Sequence, residues 1–250
     1  MILYEYPLHE RVRTLLRLEH LFRRADVMQQ GAPPEHHHFA LVTLFEIMDV
    51  AARQDLKSEV LKELERQRQT FLGYRGNPAV AESVLDAVLG EVDQAFQALS
   101  QQQGRLGQNL LDNEWLMAIR SRANIPGGTC EFDLPAYYAW QHLPEAQRRA
   151  DLSRWAGQFA PLASSVELLL RLQRDAGTTR KVQTHGGNYQ QTLAGRTFQL
   201  LRLRVDGTLG VVPEITGHRL MVSVRFLQPD ADWHMTPAAE DVPFDLTLCP

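Results

Sequence analysis

The sequence contains few of the features that mark exported or membrane proteins. Only two of its 250 residues are cysteine, Cys130 and Cys249, and its longest apolar runs cover only a few residues. An exported chain of this length more often contains paired cysteines, and a membrane-spanning helix needs about 20 predominantly apolar residues. The first residues also lack the basic and apolar segments of a signal peptide. We therefore expect a cytoplasmic protein with no membrane segment, in which Cys130 is a buried structural thiol beside Phe132.

The sequence also lacks common motifs for nucleotide binding, nucleophilic catalysis and metal binding. It has no Gly-x-x-x-x-Gly-Lys-Ser/Thr loop and no Gly-x-Ser-x-Gly elbow. The three successive histidines at 36–38 cannot all reach one ion, because neighbouring side chains on a helix lie about 100° apart. No second cluster has the spacing of metal ligands. We therefore predict no catalytic residues, no cofactor and no metal site, although catalytic residues scattered along the chain remain an open alternative.

The spacing of apolar residues divides the chain into a helical region and a region of strands. With 250 residues, of which 44% are hydrophobic, the chain is large enough for one large or two modest packed domains. A helical period dominates up to about residue 177, and a two-residue period follows it. This pattern predicts an α+β fold. We expect a helical domain of residues 1–122 and 135–177, and a smaller, mainly antiparallel β-domain of residues 123–134 and 178–250.

Within the helical region the pattern predicts a series of amphipathic helices. They cover approximately residues 8–30, 39–53, 55–74, 77–99 and 110–122, and two more begin at Pro144 and Pro161. A short glycine-containing turn separates the helices at 55–74 and 77–99, which predicts an antiparallel hairpin. Residues 125–144 join the two regions. Here residues 129–134 alternate like a short strand, and Pro135 suits the first turn of a helix whose aromatic residues we interpret as core.

The first predicted helix has an apolar face and a basic face. At 100° per residue Arg13, Arg17, His20 and Arg24 fall within a narrow arc, opposite a row of leucines. None of these cations is followed by an acidic residue four positions later. The row is either an ordinary solvated face or a surface that binds an anion.

Four strands are predicted beyond residue 177, at 180–184, 197–206, 219–226 and 242–248. In the second of them Arg202 and Arg204 alternate with apolar residues, and in the third Arg219 and Arg225 do the same. If these two strands are antiparallel neighbours, one outer face of the sheet carries four arginines.

The charge of the chain is unevenly distributed. The formal net charge is −4, yet residues 178–227 contain seven Lys and Arg against two acidic residues, and the last 23 residues contain five acidic residues and no Lys or Arg. The basic segment is either neutralised internally or left free for an acidic partner. Exposed aromatic rings for base stacking are missing from the predicted outer face, so an acidic peptide fits better than nucleic acid.

Four stretches together resemble the ZapD family of bacterial division proteins. They are YEYPLHERVRTLLRLEHLF, DLKSEVLKELERQRQ, SRANIPGGTCEFDLPAYYAWQHLPEAQR and PEITGHRLMVSVRF. The resemblance implies a helical domain with a β-domain and a symmetric homodimer formed mainly through helices. It also implies that the dimer binds FtsZ, the tubulin-like division protein, and bundles FtsZ filaments at midcell. Basic side chains are then expected to bind the acidic C-terminal tail of FtsZ, without catalysis or a cofactor.

The resemblance also indicates where the partner site lies. Among positions that are basic in the family, this chain keeps Arg17, Arg53, Arg219 and Arg225. It has Met221 and Glu114 where arginine is expected, and Tyr138 where histidine is expected. Together with the residue patterns, this predicts a partner-binding set at the following positions: Arg13, Arg17, Arg53, Tyr138, Arg202, Arg204, Arg219 and Arg225.

We therefore predict a non-enzymatic division factor in the cytoplasm, at the midcell division site. As a homodimer it is expected to bind FtsZ and bundle its filaments at the septum, without binding nucleic acid or a membrane. The alternative is a dimer that binds nucleic acid or another polyanion through the same arginines.

Overall fold

A computed structural model of the chain describes residues 1–53, 55–218 and 220–250, and these form two compact units. Residues 1–16 and 170–250 form a unit built mainly of strands, and residues 17–169 form a helical unit. The helices and two antiparallel sheets confirm the predicted α+β fold class. The observed division differs from the predicted domain boundaries, because the first 16 residues group with the strands and residues 123–134 group with the helices.

The helices follow one another with short connections. Their bounds are α1 (Glu10–Gln30), α2 (Pro34–Ala51), α3 (Leu56–Leu72), α4 (Glu82–Gln101), α5 (Gln108–Leu111), α6 (Glu114–Ala123), α7 (Pro135–Gln141), α8 (Glu145–Ala156) and α9 (Ala160–Asp175). Across the parts of the chain that the structure describes, none of these helices combines the length and apolar character that a membrane span requires.

Local sequence explains several helix starts. Pro34 occupies the first turn of α2, where a missing N–H costs nothing, so this helix begins five residues before the predicted start and includes the three histidines. Asn113 caps α6, because its side-chain oxygen accepts a hydrogen bond of 3.0 Å from the backbone N–H of Leu116.

Helices α3 and α4 form the antiparallel hairpin that the sequence predicted. Arg68, near the end of α3, pairs with Asp93 in the middle of α4 at 2.8 Å. Lys57, at the start of α3, donates to the carbonyl oxygen of Gln102, just after α4 ends. The start of α3 therefore lies beside the end of α4, and the two helices are antiparallel.

The junction at residues 125–144 is helical and turn-like, and it contains no strand. Residues 129–134, predicted as a short strand, form successive turns, so that prediction is wrong. The backbone N–H groups of Asp133 and Leu134 bond back to the carbonyl oxygen of Cys130 at 3.1 and 2.9 Å, which is the pattern of a turn. Cys130 is also only partly buried, and Phe132 is 78% exposed, so the predicted buried thiol beside Phe132 is wrong.

An aromatic cluster in the helical unit confirms the core role expected for part of the junction. The rings of Trp115, Tyr137, Trp140 and Trp155 lie with centroids 5.5 to 6.1 Å apart. Tyr137 and Trp140 are buried, whereas Tyr138 is exposed. Such offset and edge-on pairs add to the free energy that aromatic burial contributes.

The strands form two antiparallel sheets. Their bounds are β1 (Ile2–Pro7), β2 (Thr178–Gln183), β3 (Asn188–Thr192), β4 (Leu200–Val205), β5 (Val212–His218), β6 (Met221–Pro229), β7 (Met235–Pro237) and β8 (Pro243–Cys249). Sheet A has the order β1-β4-β8-β2. Sheet B has the order β3-β6-β5, and β7 also pairs with β6. Strands β1, β3, β5 and β7 were not predicted.

The two sheets face each other across one hydrophobic core. Inward residues of β4, β6 and β8 belong to a single buried cluster, and the rings of Phe226 and Phe244 approach to 5.3 Å between the sheets. The condition for a single arginine face, that β4 and β6 are antiparallel neighbours, is therefore not met, because these strands lie in different sheets. Since side chains alternate between faces, Arg202 and Arg204 lie on the outer face of sheet A and Arg225 lies on the outer face of sheet B.

Candidate functional site

The structure distributes the predicted partner-binding residues over both units. Arg17, Arg53 and Tyr138 lie in the helical unit, whereas Arg13, Arg202, Arg204 and Arg225 lie in the strand unit. Arg219 lies outside the described residues. Arg202 and Arg204 are not brought together with Arg225, because β4 and β6 present theirs on opposite outer faces.

Arg202 forms an internal ion pair that the sequence did not reveal. Its Nε donates to Oε1 of Glu5 at 2.8 Å, across the pairing of β4 with β1. Arg174, at the end of α9, binds the same carboxylate through Nε at 2.9 Å and a terminal nitrogen at 2.7 Å. Arg202 is 20% exposed and Glu5 is 16% exposed. Breaking such a partly buried pair is costly, so Arg202 has a mainly structural role.

Arg204 remains available on the same outer face. Its side chain is exposed, and no carboxylate among the described residues forms an ion pair with it. Its cross-strand neighbours are Leu3 on β1 and Asp245 on β8. Asp245 also stands opposite Lys181 on β2, so this one carboxylate lies between two cations.

Arg225 is paired, but about half of its side chain remains exposed to solvent. Its Nε and a terminal nitrogen approach Oε2 of Glu214, on the neighbouring β5, at 2.9 and 2.6 Å. Both side chains are 49% exposed. Its cross-strand neighbour on β3 is Asn188. Exposed pairs of this kind contribute only about 0 to 1 kcal/mol, so another carboxylate can replace Glu214.

The basic face of α1 is smaller than the sequence indicated. Arg24 donates to Thr43 at 2.9 Å and pairs with Glu46 on α2, so it helps to hold α1 against α2. Arg13 lies 3.3 Å from a carboxylate oxygen of Glu10, and its guanidinium carbon lies 5.9 Å from the centroid of the Tyr6 ring. Arg17 is exposed, and the described part of the chain offers it no ion pair.

Arg53 and Tyr138 are both exposed on the helical unit. Arg53 lies 3.6 Å from Asp55 and 3.8 Å from Glu59, at the start of α3. The ring centroids of Tyr138 and His142 lie 4.4 Å apart, with the two rings tilted by 55°. Both side chains are thus held in place locally, while part of each faces solvent.

Two of the histidines at 36–38, His37 and His38, have structural roles, whereas His36 is exposed. Arg148 donates through Nε to Nδ1 of the fully buried His37 at 2.9 Å, and its other nitrogens bind three backbone carbonyl oxygens at 2.6 to 2.9 Å. Burial, and after it the charge of Arg148, lowers the pKa of His37, which therefore stays neutral. His38 contacts the hydroxyl of Tyr137 at 2.8 Å, and burial lowers its pKa. In the described ranges no cluster of His, Cys, Asp or Glu has a geometry suited to a metal ion.

Sequence reasoning missed two further arginines, Arg180 and Arg196, which line one cleft in the strand unit. The basic composition of residues 178–227 included both of them, but composition did not indicate that they converge.

Comparison with known families agrees with the resemblance noted in the sequence. Residues 16–225 match the family model described as ZapD, cell division protein. The match covers most of the chain, including the whole helical unit and part of the strand unit.

Proposed function

The chain belongs to the ZapD family of cell division proteins, and we propose that it binds FtsZ through the acidic C-terminal tail of FtsZ. As a homodimer it then cross-links FtsZ filaments into bundles at the midcell division septum. It acts in the cytoplasm as an adaptor, without catalysis and without a cofactor.

The observation that supports tail binding most directly is the state of the exposed arginines. Arg17 and Arg204 are exposed and form no ion pair with a carboxylate of the described chain. The pairs made by Arg13, Arg53 and Arg225 are about half exposed. Because exposed pairs contribute little free energy, an acidic tail can take the place of the internal carboxylates.

The geometry narrows the set of residues expected to contact the tail. Arg202 is held by Glu5, so its substitution should affect folding more than binding. Arg204 and Arg225 lie on opposite outer faces of the two sheets. A tail bound to one of these faces contacts only one of the two arginines, and charge reversal at each position distinguishes the faces.

A dimer converts weak tail contacts into filament bundling. Two copies of the site hold neighbouring filaments, and the second contact forms at a high effective concentration once the first exists. Micromolar contacts are then sufficient. Because each contact is an exposed charge pair, bundling should weaken as salt shortens the screening length from about 10 Å at 0.1 M to about 3 Å at 1 M.

The surroundings of Arg225 favour an acidic peptide over nucleic acid. Its cross-strand neighbours are Asn188 and Glu214. A phosphate backbone requires a row of cations, and single-stranded bases require exposed aromatic rings beside them. Neither neighbour is a cation or an aromatic ring, so neither requirement is met beside Arg225.

Sedimentation of FtsZ polymers tests the proposal. Arg17→Glu and Arg225→Glu should each reduce the bundled FtsZ that pellets at low speed, while size-exclusion chromatography shows an unchanged dimer. The matched control is Arg105→Glu in the helical unit, because Arg105 is exposed, lies outside the proposed set and undergoes the same change of charge. Unchanged bundling by both site variants would refute this site, and a monomeric chain would refute cross-linking by a dimer.

A further inference from the structure

The strand unit contains a cleft of about 330 Å³ at the open side of the two-sheet core. Strand β2 ends sheet A and strand β3 ends sheet B, so the sheets are not closed by a common strand at this side. The cleft is lined by Ala176, Thr178, Arg180, Gln191, Thr192, Leu193, Ala194, Arg196, Phe198, Leu246, Leu248 and Pro250. Its volume lies at the lower end of the range for small-ligand sites.

The floor of the cleft is apolar and forms part of the core. Leu193, Leu246 and Leu248 are 3%, 2% and 8% exposed, and Phe198 packs against the same cluster. These side chains have little freedom to move, because they are packed between the sheets. An apolar group entering the cleft therefore meets a preformed surface.

Arg180 occupies a position on β2 where the strand pattern calls for an apolar residue. Arg180 is the cross-strand partner of Leu246, and Thr178 is the partner of Leu248, both of which face the core. Lys181, the next residue, takes the opposite face with Asp245. A cation on the core-facing side of a strand departs from the alternation that the rest of the sheet follows, and such departures concentrate at functional sites.

Arg196 reaches the same cleft from a different segment. Ala194 and Gly195 both have positive φ, 49° and 75°, and the N–H of Arg196 bonds back to the carbonyl oxygen of Leu193 at 2.9 Å. This tight turn places Leu193 in the floor and Arg196 at the rim. The guanidinium carbon of Arg196 lies 5.2 Å from the centroid of the Phe198 ring, a contact that holds it in place.

Neither arginine is neutralised internally. Both are exposed, and the described chain provides no ion pair to either. The lining described above contains two guanidinium groups and no acidic side chain. The carbonyl oxygen of Pro250 is bonded by Gln173. The charge of Arg180 also opposes the rise in pKa that burial causes at Tyr189, the neighbouring inward residue of β3, in keeping with a cation close to this edge.

We propose that this cleft binds a carboxylate attached to an apolar body. The carboxylate lies between Arg180 and Arg196, whose planar N–H groups suit carboxylate oxygens, and the apolar body rests on the leucine floor. The ligand is either a small free acid or the last residue of a peptide, because both present this chemistry. The cleft is separate from the arginines proposed for tail binding, so either proposal can fail without the other.

An NMR titration of the full chain with labelled leucine methyl groups tests the proposal. The probes are 3-phenylpropionate, the peptide acetyl-Gly-Gly-Phe with a free carboxylate, and the same peptide with an amidated terminus. We expect saturable shifts of the three floor leucines with a Kd of about 1 mM, as suits ligands of this size. Binding of both acids shows that the cleft accepts a carboxylate on either kind of apolar body. Binding of only one shows whether the ligand is a small free acid or the end of a peptide.

Arginine variants distinguish binding at Arg180 and Arg196 from a general effect of positive charge. Arg180→Gln combined with Arg196→Gln should weaken binding at least tenfold, whereas Lys181→Gln should leave it unchanged, because Lys181 lies on the same strand but on its other face. Equal binding of the peptide with a free carboxylate and of the amidated peptide overturns the proposal, and this result requires no variant. Absence of leucine shifts with both acids at 10 mM (roughly ten times the expected Kd), or unchanged binding by the folded double variant, also overturns it.

Discussion

The pair between Arg225 and Glu214 gives the sharpest prediction about partner binding. If an acidic tail binds Arg225, it competes with Glu214, which already occupies the guanidinium at 2.6 and 2.9 Å. Glu214→Gln removes the competitor and a like charge beside the tail. Arg225→Gln removes the contact itself. The two substitutions are similar in size and adjacent in the sheet, yet they should change affinity in opposite directions.

The expected magnitudes follow from exposure. Both side chains are 49% exposed, so the internal pair contributes about 0.5 kcal/mol. Because about 1.4 kcal/mol corresponds to a tenfold change, Glu214→Gln should tighten tail binding roughly two- to fourfold. Arg225→Gln should weaken it by about two- to fivefold. In the double variant the gain from Glu214→Gln should largely disappear, since the residue it frees is absent.

Fluorescence anisotropy of a labelled peptide with the sequence of the FtsZ tail measures these changes. Titrations at about 0.1 M and 1 M salt should show that the differences among variants shrink as the screening length falls. Thermal unfolding of each variant checks that the sheet is intact. If Arg225→Gln binds the peptide as tightly as the unaltered chain, then Arg225 does not contact the tail, and a gain with Glu214→Gln that persists in the double variant leads to the same conclusion.

Three further predictions concern stability and reactivity. Lowering the pH from about 8 to 5.5 should reduce the free energy of unfolding by up to about 1 kcal/mol, because burial lowers the pKa of His37 and the unfolded chain therefore takes up that proton at a higher pH than the folded chain. Urea unfolding should show a smaller loss in His37→Gln. Burial raises the pKa of the Cys249 thiol to about 11. At pH 8 its alkylation, followed by mass spectrometry, should therefore be at least about 100-fold slower than that of the partly exposed Cys130. Unfolding in urea should abolish this difference in rate. Gly187→Ala should destabilise the chain by about 2 to 4 kcal/mol, because the added Cβ would lie 2.2 Å from a backbone oxygen. Gly186 also has a positive φ, but an added Cβ there would meet no other atom, so Gly186→Ala should cost only about 1 kcal/mol in the same urea assay.

The helical unit was largely predictable, because its signals are local. Apolar residues at helical spacing and prolines in first turns indicate where helices lie, as at α7 and α9. The short strand predicted at residues 129–134 failed because six alternating residues match a chain of turns as well as a strand. Backbone bonds returning to Cys130 decide between them, and periodicity does not report those bonds.

The sheets were less predictable, because a two-residue period shows which side of a strand faces the core but not which strand lies beside it. Strands β4 and β6 have the same pattern and nevertheless belong to different sheets. Strand β5 was hidden by Pro213 and Gly217, residues that normally argue against a strand. A Cβ at Gly217 would lie 2.4 Å from Cδ2 of Leu8, so a larger residue there would displace that side chain.

The charged residues of the candidate site were predictable to the same extent: local spacing indicates an exposed cation but not its ion-pair partner. The sequence identified Arg202 as an outward cation, but its partner Glu5 lies almost 200 positions earlier in the chain. Arg225 and Glu214 are close in sequence, yet their pairing depends on a hairpin that was not predicted. Arg17 was correctly identified as an exposed cation, since its place on an amphipathic helix depends only on local spacing.

Co-sedimentation with two forms of FtsZ most directly tests the claim that this chain is an adaptor for the acidic tail. Polymers of full-length FtsZ and of FtsZ lacking its C-terminal tail are pelleted with the purified chain under the same conditions. We predict that the chain pellets with the full-length polymers and bundles them, and that it stays in the supernatant with the tail-deleted polymers. Equal pelleting with both polymers would contradict tail binding, and pelleting with neither would contradict the proposed function.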